Sequence, residues 1–425
     1  MSSPDQPNRD VASSCGALHQ PLASPMLDDP RPFYARARAE EPVFWSDALA
    51  MWVVTRYDDV QAVARDAARF SSINSISPVS VMPPPPLLEV LMQGFPVTPS
   101  LVDSDPPVHT RSRSLVTKAL SLRRIATFEP ILRELAERLI DRFVDQGQVE
   151  FVGAFAVPLP GNFIVDLLGL PRDHLEQVDA WISHAAAIFA GHGTLEELVE
   201  HARHFVTFQH YLADAVRDRR QNPRDDALSD IVTGADALDP PLGMAEMINM
   251  LVQTLFAGYE TTAGMISAAA VELARDPELF AALRDDPGRI PAVIEESLRS
   301  ASPIHAMYRT AKEDVELGGV TIRAGERLQL AFISANHDEE RFEEPLRFDP
   351  GRTTPHLAFG QGPHFCIGAP LARLEGRIAL EVITQRLPGL RLVPGQRLAF
   401  FPSATARRLA AVELAWDPPT TDASA

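Results

Sequence analysis

Cysteine is nearly missing from this chain. Cys15 and Cys366 are the only two among 425 residues. Two thiols build no disulfide framework, which fits a reducing cytoplasm. They also leave too few ligands for an iron–sulfur cluster. Basic charge is scarce as well: 39 Lys and Arg face 57 Asp and Glu, a net charge of −18. That balance argues against a nucleic-acid partner and for solubility. Long apolar runs are absent. The longest charge-free run of the most apolar segment, Met247 to Tyr259, is too short to span a bilayer, so no membrane association is expected. Residues 1–30, with their Ser, Pro, Asp and Asn, carry neither signal peptide nor anchor and read as a flexible tail. Nor does any linker divide the remainder. The 37 prolines are spread out apart from Pro83 to Pro86, so residues 31–425 read as a single domain.

Helical patterns fill most of that domain. Amphipathic spacing predicts helices over 127–145, 162–170, 173–190 and 195–220, the last two split by Gly191-His192-Gly193. A stripe of Met244, Met247, Ile248, Leu251 and Leu255 predicts a long helix from Leu242 to Asp276, ended by Pro277. Short strands are expected at 43–45, 51–55, 315–317, 320–322 and 327–332, and a short helix at 58–66. Residues 71–104 read as a long irregular, apolar, proline-rich loop, and 336–352 as an irregular meander. The fold class is therefore mainly α with small β-sheets.

The stretch around which the chain is organised is Phe359-Gly360-Gln361-Gly362-Pro363-His364-Phe365-Cys366-Ile367-Gly368, followed by a helical pattern from Ala369 to Leu387. A cysteine placed there faces the positive end of a helix, which lowers its pKa and favours the thiolate. Gly360 and Gly362 allow positive φ and a close approach of backbone N–H groups to the sulfur, and Gly368 leaves room for a flat, bulky group. A thiolate held this way suits a soft axial ligand to iron. Taken alone, a lone cysteine is more often a buried small hydrophobe.

Other chemistry-bearing residues lie far off in sequence. Asp105 offers an N-cap to a helix on which His109 and Arg113, spaced i, i+4, share a face. Such a pair alone is compatible with a solvated basic face. Ala257-Gly258-Tyr259-Glu260-Thr261-Thr262 puts a glycine, a carboxylate and a hydroxyl into an apolar helix, where unpaired polar groups are expensive. The plain alternative is a Thr bonded to its own helix and a Glu reaching solvent. Glu296 and Arg299 form an i, i+3 pair.

Together these stretches resemble the cytochrome P450 superfamily, soluble bacterial type. The 359–368 run matches its haem signature FGxGxHxCxG at every defined position, and DPPxHxxxR, AGxET, ExxR and a later arginine, Arg309, follow in the right order. The resemblance implies a triangular helical prism around a buried haem b (iron protoporphyrin IX), with residues 31–425 as one catalytic domain. It implies that Cys366 ligates the iron and that His109, Arg113, Arg309 and His364 hold the haem propionates. Phe359, Gly360 and Gly368 would line the cofactor turn. Ala257 and Gly258 would face the haem where dioxygen binds, and Glu260 and Thr261 would deliver protons. Glu296 and Arg299 would pair with Arg352 in a structural network.

The activity so implied is oxygen-dependent monooxygenation, most simply hydroxylation, with electrons from a ferredoxin and its NAD(P)H-dependent reductase, in a cytoplasmic, bacterial, monomeric enzyme. Peroxide-driven turnover, oxidative coupling and, from a different class, a cysteine-nucleophile hydrolase are the competing readings. By resemblance the substrate pocket would be lined by Val81, Met82, Phe256, Ile304, His305, Met307, Phe400 and Phe401. Apart from Glu260 and His305 no charged side chain is expected there, so the substrate should be a sizeable, mostly apolar molecule of secondary metabolism. Lys118, Arg123, Arg124 and Arg373 are candidates for a local basic patch facing the electron donor.

Overall fold

Two packed helices carry the architecture. Met244–Arg275 runs for 32 residues. Both flanks of its middle turn are mostly buried, from Met247 to Leu255 and from Thr262 to Ala274. Glu246 accepts the Gly243 N–H at 2.7 Å and satisfies its N-terminus. At the far end Asp276 leaves the helical region and accepts the Leu279 N–H at 2.9 Å, so it caps the next helix, Pro277–Asp285. Ala369–Arg386, which follows the cysteine turn, packs against Met244–Arg275 and against Ile290–Ala301. The computed structural model describes residues 14–76, 83–190 and 193–418.

The largest apolar cluster joins these helices to Glu129–Asp141, Pro158–Leu167 and Leu195–Gln221, and runs from Leu115 to Trp416. A five-stranded sheet lies to one side, in the order Val43–Ser46, Met51–Val54, Arg327–Leu330, Met307–Ala311, Phe70–Ser71. All its pairings are antiparallel except Met51–Val54 with Arg327–Leu330, which runs parallel with Val53 opposite Gln329. The antiparallel pairing of Met307–Ala311 with Arg327–Leu330 sets Arg309 opposite Leu328, and its side chain is buried. Smaller ladders close the remainder, among them Ala399–Phe400 with Leu409–Ala411. The architecture is mainly α with small sheets, as expected.

Four local expectations change. Residues 14–30, read as part of a loose tail, are packed: Cys15 and His19 are fully buried, and the His19 ring reaches Ser46 Oγ at 2.8 Å and Tyr34 Oη at 3.2 Å. The 71–104 stretch, read as irregular, contains the helix Pro85–Leu91, whose Leu87 and Val90 pack on Ala202 and Val206. Prolines at its first positions hid a helix start that tertiary packing completes. Asp105 does not cap Val108–Ala119 with its side chain. Its carboxylate instead accepts Ser71 Oγ at 2.7 Å and the Ser72 N–H at 2.8 Å, with Lys312 at 3.1 Å. The strand expected to Phe332 stops at Leu330, and Phe332–Ala335 is a helical turn. His192 lies outside the described residues.

Candidate active site

The cysteine turn is built by its own backbone. Gly360 N–H donates to Leu357 O, Phe365 N–H to Gly362 O and Cys366 N–H to Phe359 O, at 2.9, 3.1 and 2.9 Å. Gly362 has φ +69°, and a Cβ there would stand 2.8 Å from Ala64 O and Arg65 Cα. This glycine therefore serves close packing against the helix Tyr57–Arg65, not the sulfur as expected. The N–H groups that reach the sulfur are those of Gly368 and Ala369. Gly368 Cβ, if present, would lie 3.8 Å from Sγ, overhanging it. The expected thiol acidity also needs correction. Burial pushes the Cys366 thiol up, and the Gly368 N–H, Arg113, the Ala369 N–H and Arg373 pull back only part of that shift. The helix N-terminus alone does not make a thiolate here; a cation on the sulfur would.

Basic and donor side chains gather beside this turn. The rings of His109 and His364 lie 4.1 Å apart between centroids. Arg113 donates to Phe365 O at 2.7 Å, tying its helix to the turn. Arg309 is 5% exposed, and among the described residues its guanidinium donates only to Tyr308 O. Burial lowers its pKa to about 10, with Asp105 opposing. His364 Nε2 is buried without a partner among the described residues. Burial, Arg309, His109 and Arg113 together hold the His364 imidazole down to about 3. Cations and unspent donors crowded in one low-dielectric volume call for anionic acceptors. A flat group bearing two carboxylates and a thiophilic metal answers both this nest and Cys366, so the residues present fit haem.

The central helix stays helical through the 257–262 motif. Ala257 is nevertheless exposed, and Phe256, Gly258, Glu260 and Thr261 are half-buried, between buried flanks. Thr261 Oγ1 donates to Ala257 O at 2.8 Å, the plain self-helix bond. Glu260 does not reach freely into solvent. Its side chain is 23% exposed, with Arg408 Nη2 at 3.9 Å. Burial raises its pKa and Arg408 lowers it. Behind the motif, Glu375 on the cysteine helix is buried and bonded to Thr262, and burial pushes its carboxyl up to about 8. Sequence reasoning passed over it, although a carboxylate on the inner face of an amphipathic helix was a visible signal.

Val81 and Met82 lie outside the described residues. His305, Phe400 and Phe401 line one small cavity with Met26, Tyr34 and Arg407. Ile304 pairs with Ala406, and Met307 with Leu330. The expectation that no charge other than Glu260 and His305 stands here fails. The Arg407 guanidinium lies 3.5 Å from the Phe400 centroid and that of Arg408 4.3 Å from Phe401. Both arginines come from the C-terminal turn, where adjacent charges gave no periodic signal. The expected basic patch is also reduced: Arg124 pairs with Asp230 at 2.6 Å and Arg373 with Glu295 at 2.7 Å, leaving Lys118 and Arg123 exposed.

The Cytochrome P450 family model matches residues 192–388. PikC, a cytochrome P450 monooxygenase of Streptomyces venezuelae, is 34% identical over 412 residues, 94% of this chain and 93% of that protein. The mycinamicin IV hydroxylase/epoxidase of Micromonospora griseorubida is 39% identical over 346 residues, 80% of this chain and 83% of that protein. Among solved structures, cytochrome P450 CREJ in complex with (4-ethylphenyl) dihydrogen phosphate superposes with a TM-score of 0.87 at 32% identity, covering 92% of this chain and 98% of that one. Fold, motifs and relatives define a haem-dependent monooxygenase. The chain belongs to the cytochrome P450 family, whose members work with redox partners. Among the described residues, no helix is long and apolar enough to cross a membrane.

Proposed function

We propose that Cys366 would ligate the iron of haem b through its thiolate and that His109, Arg113, Arg309 and His364 would hold its propionates. The observation that carries this reading is the buried Arg309 guanidinium and the unpartnered His364 Nε2 beside the cysteine turn. Bound haem would supply oxygen activation and insertion into a C–H bond. The chain's own residues do the rest. The Gly368 and Ala369 N–H groups hold charge on the sulfur. Glu260 exchanges protons with water at its partly exposed carboxyl, and Thr261, free to turn from Ala257 O, offers its hydroxyl at the haem side. Apolar walls at Phe256, Ile304 and Met307 keep water from the reaction. Arg309→Leu should lose haem on gel filtration while keeping helical content. Full haem retention would count against the propionate assignment.

The substrate in this reading is a sizeable, mostly apolar molecule, hydroxylated in secondary metabolism. Support comes from relatives named for macrolide chemistry, among them the mycinamicin IV and erythromycin C-12 hydroxylases. Electrons come from a ferredoxin and its NAD(P)H-dependent reductase, and the enzyme is taken as a cytoplasmic monomer with one catalytic domain over residues 31–425. A panel containing a macrolide aglycone, testosterone and palmitate should include a compound that shifts the Soret band to high spin. A shift confined to small ionic compounds would overturn the substrate class.

A further inference from the structure

The Glu260–Arg408 pair is unusual in being close yet unmade. At 3.9 Å the two side chains feel each other electrostatically without a hydrogen bond. Neither is otherwise saturated. Among the described residues Arg408 Nε is buried without a partner, and Nη1 reaches only Leu409 O, at 3.4 Å. The guanidinium also lies over the Phe401 ring, 4.3 Å from its centroid. The backbone fixes that stack, because Phe401 N–H donates to Arg408 O at 3.1 Å.

The approach of this turn to the central helix depends on Gly264, one helical turn beyond Glu260. A Cβ at Gly264 would stand 3.2 Å from Arg407 O and 3.9 Å from Arg408 Cβ. With no side chain there, the turn lies on the helix and Arg408 reaches back toward Glu260. Arg407 faces the other way, donating to Leu27 O at 2.9 Å and Asp28 O at 2.7 Å. Among the described residues the remaining titratable neighbours are Tyr259 and its partner Asp179. Burial and the Asp179 bond keep that phenol far above its usual range, and therefore neutral. Arg408 is thus the cation that acts on the Glu260 carboxyl.

We propose that Arg408 is a positioning residue for Glu260: poised between the Phe401 ring and the carboxylate, it sets how readily Glu260 holds the proton destined for Thr261. The proposal rests on the proton-delivery role given to Glu260 above. The proton leaves the Glu260 carboxyl toward the Thr261 hydroxyl side and is replaced from water. Phe401 is 46% exposed and lines the small cavity it shares with His305 and Phe400, so a ligand packing on its ring would reset the Arg408–Glu260 separation.

An infrared difference titration of the haem-loaded protein tests this directly, using the carboxyl C=O band that Glu260→Gln removes. Arg408→Ala should raise the midpoint of that band by about one pH unit, since the nearby opposite charge is lost. Arg408→Lys should recover much of the shift. Phe401→Ala should move the midpoint down, because the released guanidinium can close on the carboxylate. An unmoved midpoint in Arg408→Ala, with the ferrous–CO band intact, would overturn the proposal, and so would an upward shift in Phe401→Ala. Failure of the underlying reading shows separately. In that case Glu260→Gln would release no more peroxide per NADPH than wild type with spinach ferredoxin and its reductase, whatever the titration gives.

Discussion

Glu296 and Arg299 form a bidentate pair with both contacts at 2.7 Å, and each side chain is 2% exposed. Arg352 approaches the same carboxylate at 3.4 Å, and the Asp349 N–H donates to it at 2.8 Å. Arg299 spends its other donors on the carbonyls of Asn336, Pro345 and Arg347. The pair therefore pins the meander that leads into the cysteine turn. Glu296→Gln removes one charge and leaves a buried guanidinium uncompensated. It should cost about 3–5 kcal/mol in urea unfolding. A loss below about 1 kcal/mol would show the network to be dispensable.

Acid should destabilise the protein through its buried histidines, against the opposing effect of Glu375, whose raised carboxyl takes up its proton more readily in the fold than in the unfolded chain. Burial is the main reason the His19 and His337 pKa values are lowered to about 3. The unfolded chain takes up those protons near pH 6.5 while the fold refuses them. The contribution of these two histidines is therefore complete above that pH and falls below it, by up to about 1.4 kcal/mol per pH unit for each, until pH approaches the folded values. His337→Gln, which can still donate to Ile333 O as the histidine does at 2.9 Å, should flatten the slope between pH 6.5 and 5. An unchanged slope in urea midpoints would refute this assignment.

Thr261→Ala should fold and bind haem almost normally. Among the described residues the hydroxyl bonds only to its own helix, so its loss should cost about 1 kcal/mol or less. Peroxide release per NADPH should rise severalfold. Equal coupling in variant and wild type would remove Thr261 from proton delivery.

Electron entry discriminates between the candidate basic residues Lys118, Arg123 and Arg373. Lys118→Glu and Arg123→Glu should slow the first electron transfer from a ferredoxin and weaken its salt dependence, with substrate binding unchanged. Arg373→Glu should behave differently. It strands Glu295, whose pKa, raised by burial, is brought down to about 2 by Arg373 and His356, and so lowers thermal stability. Equal kinetic effects at all three positions, without a stability loss at Arg373, would contradict this division.

The sequence made the long helices legible because Met244–Arg275 and Ala369–Arg386 carry their own boundary signals, Pro277 after one and the cysteine turn before the other. Motif residues distant in sequence were legible as a set, and His109 and His364 do meet. What stayed hidden depends on tertiary contact. The helix Pro85–Leu91 exists because Leu87 and Val90 find Ala202 and Val206. Asp105 looked like a cap, but Ser71, Ser72 and Lys312 are better partners. Arg408 meets Glu260 only because an irregular C-terminal turn crosses the helix at Gly264. No periodicity encodes a crossing of that kind.

The central claim concerns Cys366 and is tested by one spectrum. Reduced, carbon monoxide-bound wild-type protein should show the strongly red-shifted Soret band that an anionic sulfur ligand produces. Cys366→His should still bind haem through the Arg309, His109, Arg113 and His364 nest, and its band should fall where histidine-ligated haem absorbs. A wild-type band at the histidine position, or a Cys366→His variant that keeps the red-shifted one, would contradict the account.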